Sequence, residues 1–240
     1  MLNKVWVVIP AAGVGARMQA DRPKQYLPLV GKTVIEHTLA CFAEHPAVAG
    51  IVVAITDGDP YWAELTSIAL SEQGTIHTAP GGCERADSVL NALDYLVNTL
   101  QVTADTHVLV HDAARPCLSR HDLDALLAAG ASEAAGAILA VPVRDTMKRA
   151  QTHGLRISHT EERNGLWHAL TPQMAALGVL RAALADALQR GLGVTDEASA
   201  LEHAGLHPLL VEGDARNIKI TRPADLALAT FFLSNASSGQ

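Results

Sequence analysis

Short apolar, β-branched runs alternate along the chain with longer stretches in which apolar residues recur at helical spacing. The runs Val5–Ile9, Ile51–Ile55, His107–His111, Ala137–Val141 and Pro208–Val211 are apolar at successive positions. That pattern predicts strands covered on both faces, as in a parallel sheet. Between them the spacing predicts helices over Val34–Ala43, Tyr61–Ala69, Arg85–Leu96, Asp122–Ala129, Ala175–Arg190, Glu197–Ala204 and Ala224–Phe232, with Pro223 at a tolerated first-turn position. The order predicts an α/β fold, a mostly parallel sheet flanked by helices, with ligands at the carboxyl ends of the strands. Thr146–His159 breaks the rhythm. Polar and apolar residues interleave around His153-Gly154, which predicts an antiparallel hairpin projecting as an arm. Residues 1–233 read as one domain, and the small, polar residues 234–240 as a frayed, disordered tail.

Composition narrows the function. With 49% hydrophobic and 18% charged residues over 240 positions, the chain has the means to build a core and is not globally disordered. A net charge of −7 argues against a general nucleic-acid binder, yet leaves room for a local phosphate pocket. The first apolar run stops at Pro10, far short of the roughly 20 residues of a membrane span, so no membrane association is expected. Cys41, Cys83 and Cys117 are few and odd in number, which suits a reducing cytoplasm better than a disulfide framework. The histidines lack metal-ligand spacing, so no protein-held metal site is expected.

The strongest local motif is Pro10-Ala-Ala-Gly-Val-Gly-Ala-Arg-Met18, directly after the first predicted strand. Small residues let backbone N–H groups approach an anion, and Arg17 adds a forked, permanent cation. The same residues would also make an ordinary tight turn with a surface arginine. Met18 stands where a dinucleotide fingerprint requires glycine. Lys24, in Pro23-Lys24-Gln25-Tyr26, can converge on a phosphate held by that loop. Gly31-Lys32-Thr33 imitates the end of a phosphate-binding P-loop, but Tyr26 occupies the required leading glycine. Asp57-Gly58-Asp59, followed by Pro60, reads as a turn and helix start rather than a metal-binding pair.

Further along, Gly81-Gly82-Cys83-Glu84-Arg85-Ala86-Asp87-Ser88 offers backbone access and a hydroxyl where a strand-like segment meets a helix. His111-Asp112-Ala113-Ala114-Arg115-Pro116 places a carboxylate and a guanidinium at a strand end, as a substrate site or a structural ion pair. Arg144–Arg149, Glu162–Gly165, Leu170–Gln173 and Asn217–Pro223 add cations and hydroxyls at loop and strand ends. Cations repeated at such ends in an acidic chain point to an anionic ligand.

Taken in order, Pro-Ala-Ala-Gly-x-Gly-x-Arg-Met, Pro-Lys-Gln-Tyr, Gly-Gly-x-x-Arg-x-x-Ser, His-Asp-Ala-Ala-Arg-Pro, Arg-Asp-Thr-Met-Lys, Leu-Trp-His-Ala-Leu-Thr-Pro-Gln, Thr-Asp-Glu-Ala-Ser-Ala and Asn-Ile-Lys-x-Thr-Arg-Pro resemble the 2-C-methyl-D-erythritol 4-phosphate cytidylyltransferase family of the non-mevalonate isoprenoid pathway, from about Val5 to Leu228. The resemblance implies a Rossmann-like nucleotidyltransferase fold and a homodimer joined through the arm, about residues 144–165. It implies attack of methylerythritol phosphate on the α-phosphate of CTP with release of pyrophosphate, and Mg²⁺ held mainly by the CTP phosphates. Carried over by motif, Arg17 and Lys24 would stabilise charge at the α-phosphate, and Arg163 and Lys219 would position the polyol phosphate. Pro10, Ala11, Ala12, Gly13, Gly15, Gly82, Ser88 and Ala113 would hold CTP; Asp112, Arg115, Thr146 and Thr171 would shape the substrate pocket. Thr146 and Arg163 would act on the neighbouring subunit's site. Cys83 stands where some members carry Asp, which puts one side-chain contact to the nucleotide in question. A sugar-1-phosphate nucleotidyltransferase, a ribitol-phosphate cytidylyltransferase and a catalytically silent nucleotide-binding module share parts of this pattern. Keeping both Arg17 and Lys24 disfavours the silent module.

Overall fold

A computed structural model describes residues 4–13, 18, 21–65 and 76–236. Strand β1 (Val5–Pro10) is followed by a 3-10 turn at Lys24–Tyr26, a two-residue hairpin of β2 (Pro28–Leu29) and β3 (Lys32–Thr33), and helix α1 (Val34–Ala43). Then come β4 (Val48–Ile55), α2 (Pro60–Ala63), β5 (Ile76–Pro80), α3 (Arg85–Asn98), β6 (His107–Val110), α4 (Arg120–Gly130) and β7 (Ala137–Pro142). The second half holds β8 (Lys148–Ala150), β9 (Ile157–Thr160), β10 (Trp167–Ala176), α5 (Leu177–Gln189), α6 (Glu197–His203), β11 (Leu209–Glu212) and α7 (Pro223–Ala236).

Seven strands form one sheet in the order β11-β7-β10-β6-β1-β4-β5. All neighbours pair in parallel except β10, which runs antiparallel to both β6 and β7. Period-two alternation divides the core. Val7, Ile9, Ile51, Val53 and Leu109 pack with Ile35, Leu39 and Phe42 of α1 and Leu123 and Leu126 of α4. Val8, Val52, Ala54, Val108 and Val110 face the other way, onto α3, α5 and α6. Both faces are covered, which is why these strands read as continuous apolar runs. A third cluster seats α7 against Val34 and Leu29 through Ala229 and Ile220. Helix α1 starts where expected because Thr33 and Glu36 make a reciprocal capping box.

Four segments differ from expectation. The tail expected from residue 234 is helical as far as Ala236, as the end of α7, and positions 237–240 lie outside the described residues. The helix predicted over Tyr61–Ala69 is Pro60–Ala63 within the described residues, and positions 66–75 lie outside them. The helix predicted from Ala175 begins at Leu177, because Ala175 and Ala176 pair with Val108 and His107 as the end of β10. Strand β10 itself is hidden in the sequence by alanines and by Thr171-Pro172, which interrupt its β-branched character and coincide with a register shift between Ala169 and Gln173. The expected hairpin forms, with Lys148 opposite Thr160 and Ala150 opposite Ile157. Its Met147, Leu155 and Ile157 are exposed.

Candidate active site

The parallel strands deliver their carboxyl ends to one edge of the sheet, and the motif residues gather there. After β1 the chain turns through Ala11, Ala12 and Gly13. Ala11 N–H donates to Ala54 O of neighbouring β4, so the turn starts in register with the sheet. Three side-chain hydrogen bonds reach its carbonyls: Gln25 Nε2 donates to Ala11 O at 2.6 Å and Gly13 O at 3.1 Å, and Thr56 Oγ1 donates to Ala12 O at 3.2 Å. Lys24 Nζ donates to Ile220 O at 2.9 Å in the loop before α7. Tyr26 OH donates to Asp59 Oδ2 at 2.7 Å; burial first, then Asp59, pushes its phenol well above the usual range. Gly15 and Arg17 lie outside the described residues.

At the end of β5, Gly81 packs so closely that a Cβ there would collide with Ala12 Cβ, which explains the glycine. Gly82 is equally constrained by Asp87 and Ser88. Ser88 Oγ accepts from Gly82 N–H at 2.9 Å and donates to Glu84 O at 3.1 Å, so this hydroxyl braces the loop from the first turn of α3. Cys83 is exposed at the cleft wall.

The electrostatic centre is Asp112, just beyond β6. Its Oδ1 accepts from Arg85 Nε at 3.0 Å, and its Oδ2 from Arg115 Nε at 3.3 Å and Lys219 Nζ at 2.8 Å. Burial alone would raise this carboxyl, but Arg85, Lys219 and Arg115 together hold it far below the usual carboxylate range. Arg85 also grips buried Glu197 at the start of α6. Three cations against two carboxylates leave the cluster one positive charge in excess. Behind it, His111 is fully buried and burial pushes its pKa down to about 4. Since His111 Nε2 lies 3.0 Å from the acceptor-only Arg115 O, Nε2 carries the proton and Nδ1 accepts from Thr171 Oγ1 at 3.0 Å. Thr171 Oγ1 in turn accepts from Asp112 N–H, and Asn217 Nδ2 donates to Thr171 O at 2.8 Å. Arg115 is anchored at Asn217 O.

Two clefts meet at this cluster. One, of about 320 Å³, is bounded by the β1 turn, Lys24, Gly82, Ser88 and Ala113. The other, of about 190 Å³, reaches Arg115, Thr171, Thr195 and Asp196. Arg85, Asp112 and Lys219 line both. Pro10, Ala11, Ala12, Gly13, Lys24, Gly82, Ser88, Asp112, Ala113, Arg115, Thr171 and Lys219 are thereby brought around one pair of pockets. Thr146 and Arg163 are not. Both are exposed on the arm and its base, where Arg163 donates to Arg144 O and lines a separate hollow with Trp167. Reading the sequence by motif left three participants without a role: Arg85, Glu197 and Gln25. All three stood inside motifs, but their partners are distant or are backbone atoms, which residue types do not signal.

The arrangement suits an anionic ligand in the larger cleft whose reacting end meets a second anion near Lys219, because the shared wall is cationic. Among the described residues no group of three or more His, Cys, Asp or Glu side chains is placed to hold a metal ion. Comparison with known proteins agrees with the ordered motifs. Residues 5–235 match the family model described as 2-C-methyl-D-erythritol 4-phosphate cytidylyltransferase. The protein of that name from Vibrio vulnificus (strain CMCP6) is 56% identical over 233 residues, 97% of this chain and 96% of the relative. Its namesake from Pseudomonas aeruginosa (strain UCBPP-PA14) is 58% identical over 225 residues, 94% of each chain. A solved structure of the Francisella tularensis enzyme of the same name superposes with a TM-score of 0.80 at 36% identity, covering 96% of this chain and 100% of the other. With glycine turn, lysine, aspartate and cationic loops at the expected strand ends, and such likeness along nearly the whole chain, this protein belongs to the 2-C-methyl-D-erythritol 4-phosphate cytidylyltransferase family.

Proposed function

We propose that the chain transfers a cytidylyl group from CTP to 2-C-methyl-D-erythritol 4-phosphate, giving 4-diphosphocytidyl-2-C-methyl-D-erythritol and pyrophosphate in the non-mevalonate isoprenoid pathway. A phosphate oxygen of the polyol phosphate attacks the α-phosphorus of CTP. One P–O bond forms, the α–β P–O bond breaks, and the electron pair leaves with pyrophosphate. The attacking phosphate is already anionic near neutral pH, so the chain needs no strong base. Its task is positioning and charge stabilisation.

The observation that carries this reading is the pair of clefts joined at Arg85, Asp112 and Lys219 in a chain matched to the family from residue 5 to 235. CTP occupies the larger cleft, against the β1 turn, Gly82, Ser88 and Ala113, where Lys24 meets the negative charge that builds at the α-phosphate; by motif, Gly15 would join in holding CTP and Arg17 in meeting that charge. The polyol phosphate enters the smaller cleft, where Asp112, Arg115 and Thr171 shape its site and Lys219 draws its phosphate to the shared wall. Mg²⁺ arrives with CTP as part of the substrate and offsets phosphate charge. Two chains join through the arm, and each lends Thr146 and Arg163 to its neighbour. The exposed Met147, Leu155 and Ile157 support this, since an isolated two-stranded hairpin is marginal in water. Free thiols at Cys41, Cys83 and Cys117 suit a cytoplasmic setting, and among the described residues no helix is long and apolar enough to cross a membrane.

The test is pyrophosphate release from CTP and Mg²⁺ with a panel of polyol phosphates. Methylerythritol phosphate should be the preferred acceptor. Comparable or better turnover of ribitol 5-phosphate would move the assignment to a ribitol-phosphate cytidylyltransferase.

A further inference from the structure

Three consecutive side chains of the 3-10 turn reach three different loops. Lys24 donates to Ile220 O before α7, Gln25 donates to Ala11 O and Gly13 O after β1, and Tyr26 donates to Asp59 after β4. The central one has an unusual task. Gln25 is 3% exposed, and both of its hydrogen bonds leave from one amide nitrogen, at 2.6 and 3.1 Å. With Thr56 on Ala12 O, each carbonyl of the Ala11–Gly13 turn accepts a side-chain hydrogen.

This matters because the turn lines the larger cleft, as Gln25 itself does. A peptide presents two electrical ends to a ligand. A carbonyl oxygen turned towards a triphosphate repels it, and an N–H attracts it. Holding the carbonyls on fixed donors sets which end of each peptide the nucleotide meets. The same residue is covalently next to Lys24, so the distance between the turn and the lysine is set by one peptide bond and two hydrogen bonds.

We infer that Gln25 is a positioning residue for CTP: its amide nitrogen locks the Ala11 and Gly13 carbonyls and so fixes the polarity of the phosphate-facing turn relative to Lys24. The inference rests on the larger cleft being the CTP site. It requires donors at position 25, beyond a side chain of the right shape. Gln25→Met keeps the length and removes both donors. Gln25→Glu keeps the shape and sets a carboxylate against two carbonyl oxygens, which is worse than no donor at all.

The experiment is steady-state kinetics of wild type, Gln25→Met and Gln25→Glu, with CTP and methylerythritol phosphate varied in turn and folding checked by thermal melting. The expected order of KM for CTP is wild type, then Met, then Glu, with Glu raised about tenfold or more. The KM for methylerythritol phosphate should stay within about twofold, and kcat at saturating CTP should fall less than CTP affinity does. A side chain that only packs would make Glu the milder change, or would lower kcat with no change in the KM for CTP; either result overturns the inference. If Gln25→Glu does not fold, Gln25→Met decides: a raised KM for CTP alone supports the inference, and an unchanged one overturns it. A wild-type protein that binds no CTP would instead overturn the reading of the cleft, and this inference with it.

Discussion

Glu197 receives Arg85 through both carboxylate oxygens, at 2.6 and 3.1 Å, across 112 residues of sequence. The remaining Nε–H of Arg85 goes to Asp112, so one guanidinium ties the start of α6 to the end of β6. Glu197 is 1% exposed, and Arg85 is its charge partner. Without the Glu197 charge, Arg85 would keep Asp112 as a partner but lose two charge-assisted hydrogen bonds at a buried acceptor, which costs about 2 kcal/mol. Glu197→Gln should therefore lose about that much stability in urea unfolding, and it should also weaken both substrates, because Arg85 borders both clefts. A variant as stable as wild type would show that the pair is a surface contact in energetic terms.

His111 gives a pH signature. Its folded-state pKa is pushed down to about 4 by burial, against an ordinary 6.5. Between those values the unfolded chain binds the extra proton and the folded chain does not, so stability rises with pH there. The contribution is complete above about pH 6.5 and is lost as pH falls towards 4, amounting to about 3 kcal/mol at most. The check is the difference in unfolding free energy between wild type and His111→Gln, followed from pH 7 to 4. That difference should shrink as the pH falls. A flat difference would mean that folding leaves the His111 pKa where it stands in the unfolded chain.

Much of the fold could be read from the chain because strands buried on both faces leave uninterrupted apolar runs, as Val5–Ile9 and Ile51–Ile55 do. Strand β10 could not be read so. Alanines at 169, 175 and 176 dilute its β-branched character, and Thr171-Pro172 looks like a loop until the flanking strands β6 and β7 are in place. The site was legible to the extent that its groups sit in short motifs at strand ends. Lys24, Asp112, Arg115 and Lys219 meet around two adjoining clefts as the motifs suggested. What escaped were tertiary links: the Arg85–Glu197 pair spans distant segments, and Gln25 acts on backbone atoms. Thr146 and Arg163 are exposed and line neither of the two clefts, so this chain alone does not bring them to the site.

Lys24 should matter chiefly to the chemical step. Its ammonium sits between the loop before α7 and the larger cleft, donating to Ile220 O at 2.9 Å. Charge at the α-phosphate grows in the transition state, so a preorganised donor acts there more than in the ground state. Lys24→Ala should lower kcat by about 10²–10³ and raise the KM for CTP far less. An unchanged kcat in a folded variant would remove Lys24 from the mechanism.

Sites shared across a dimer predict complementation. Arg163→Ala and Lys24→Ala chains are each expected to be inactive alone. A heterodimer of the two would carry one site with both defects and one with neither. With free exchange, about half the dimers are mixed, so recovery should approach about a quarter of wild-type activity. No recovery despite demonstrated exchange would mean that each site is built within one chain.

The most direct measurement of the central claim follows the oxygen atoms. Methylerythritol phosphate carrying ¹⁸O in its phosphate is incubated with CTP, Mg²⁺ and the protein, and the products are analysed by ³¹P NMR and mass spectrometry. Attack by the polyol phosphate on the α-phosphorus predicts that all of the label stays in the diphosphate-linked product, including its bridging oxygen, and that pyrophosphate is unlabelled. Label in pyrophosphate, or formation of inorganic phosphate and CDP in its place, would contradict the assignment of this chain as a cytidylyltransferase acting through the substrate phosphate.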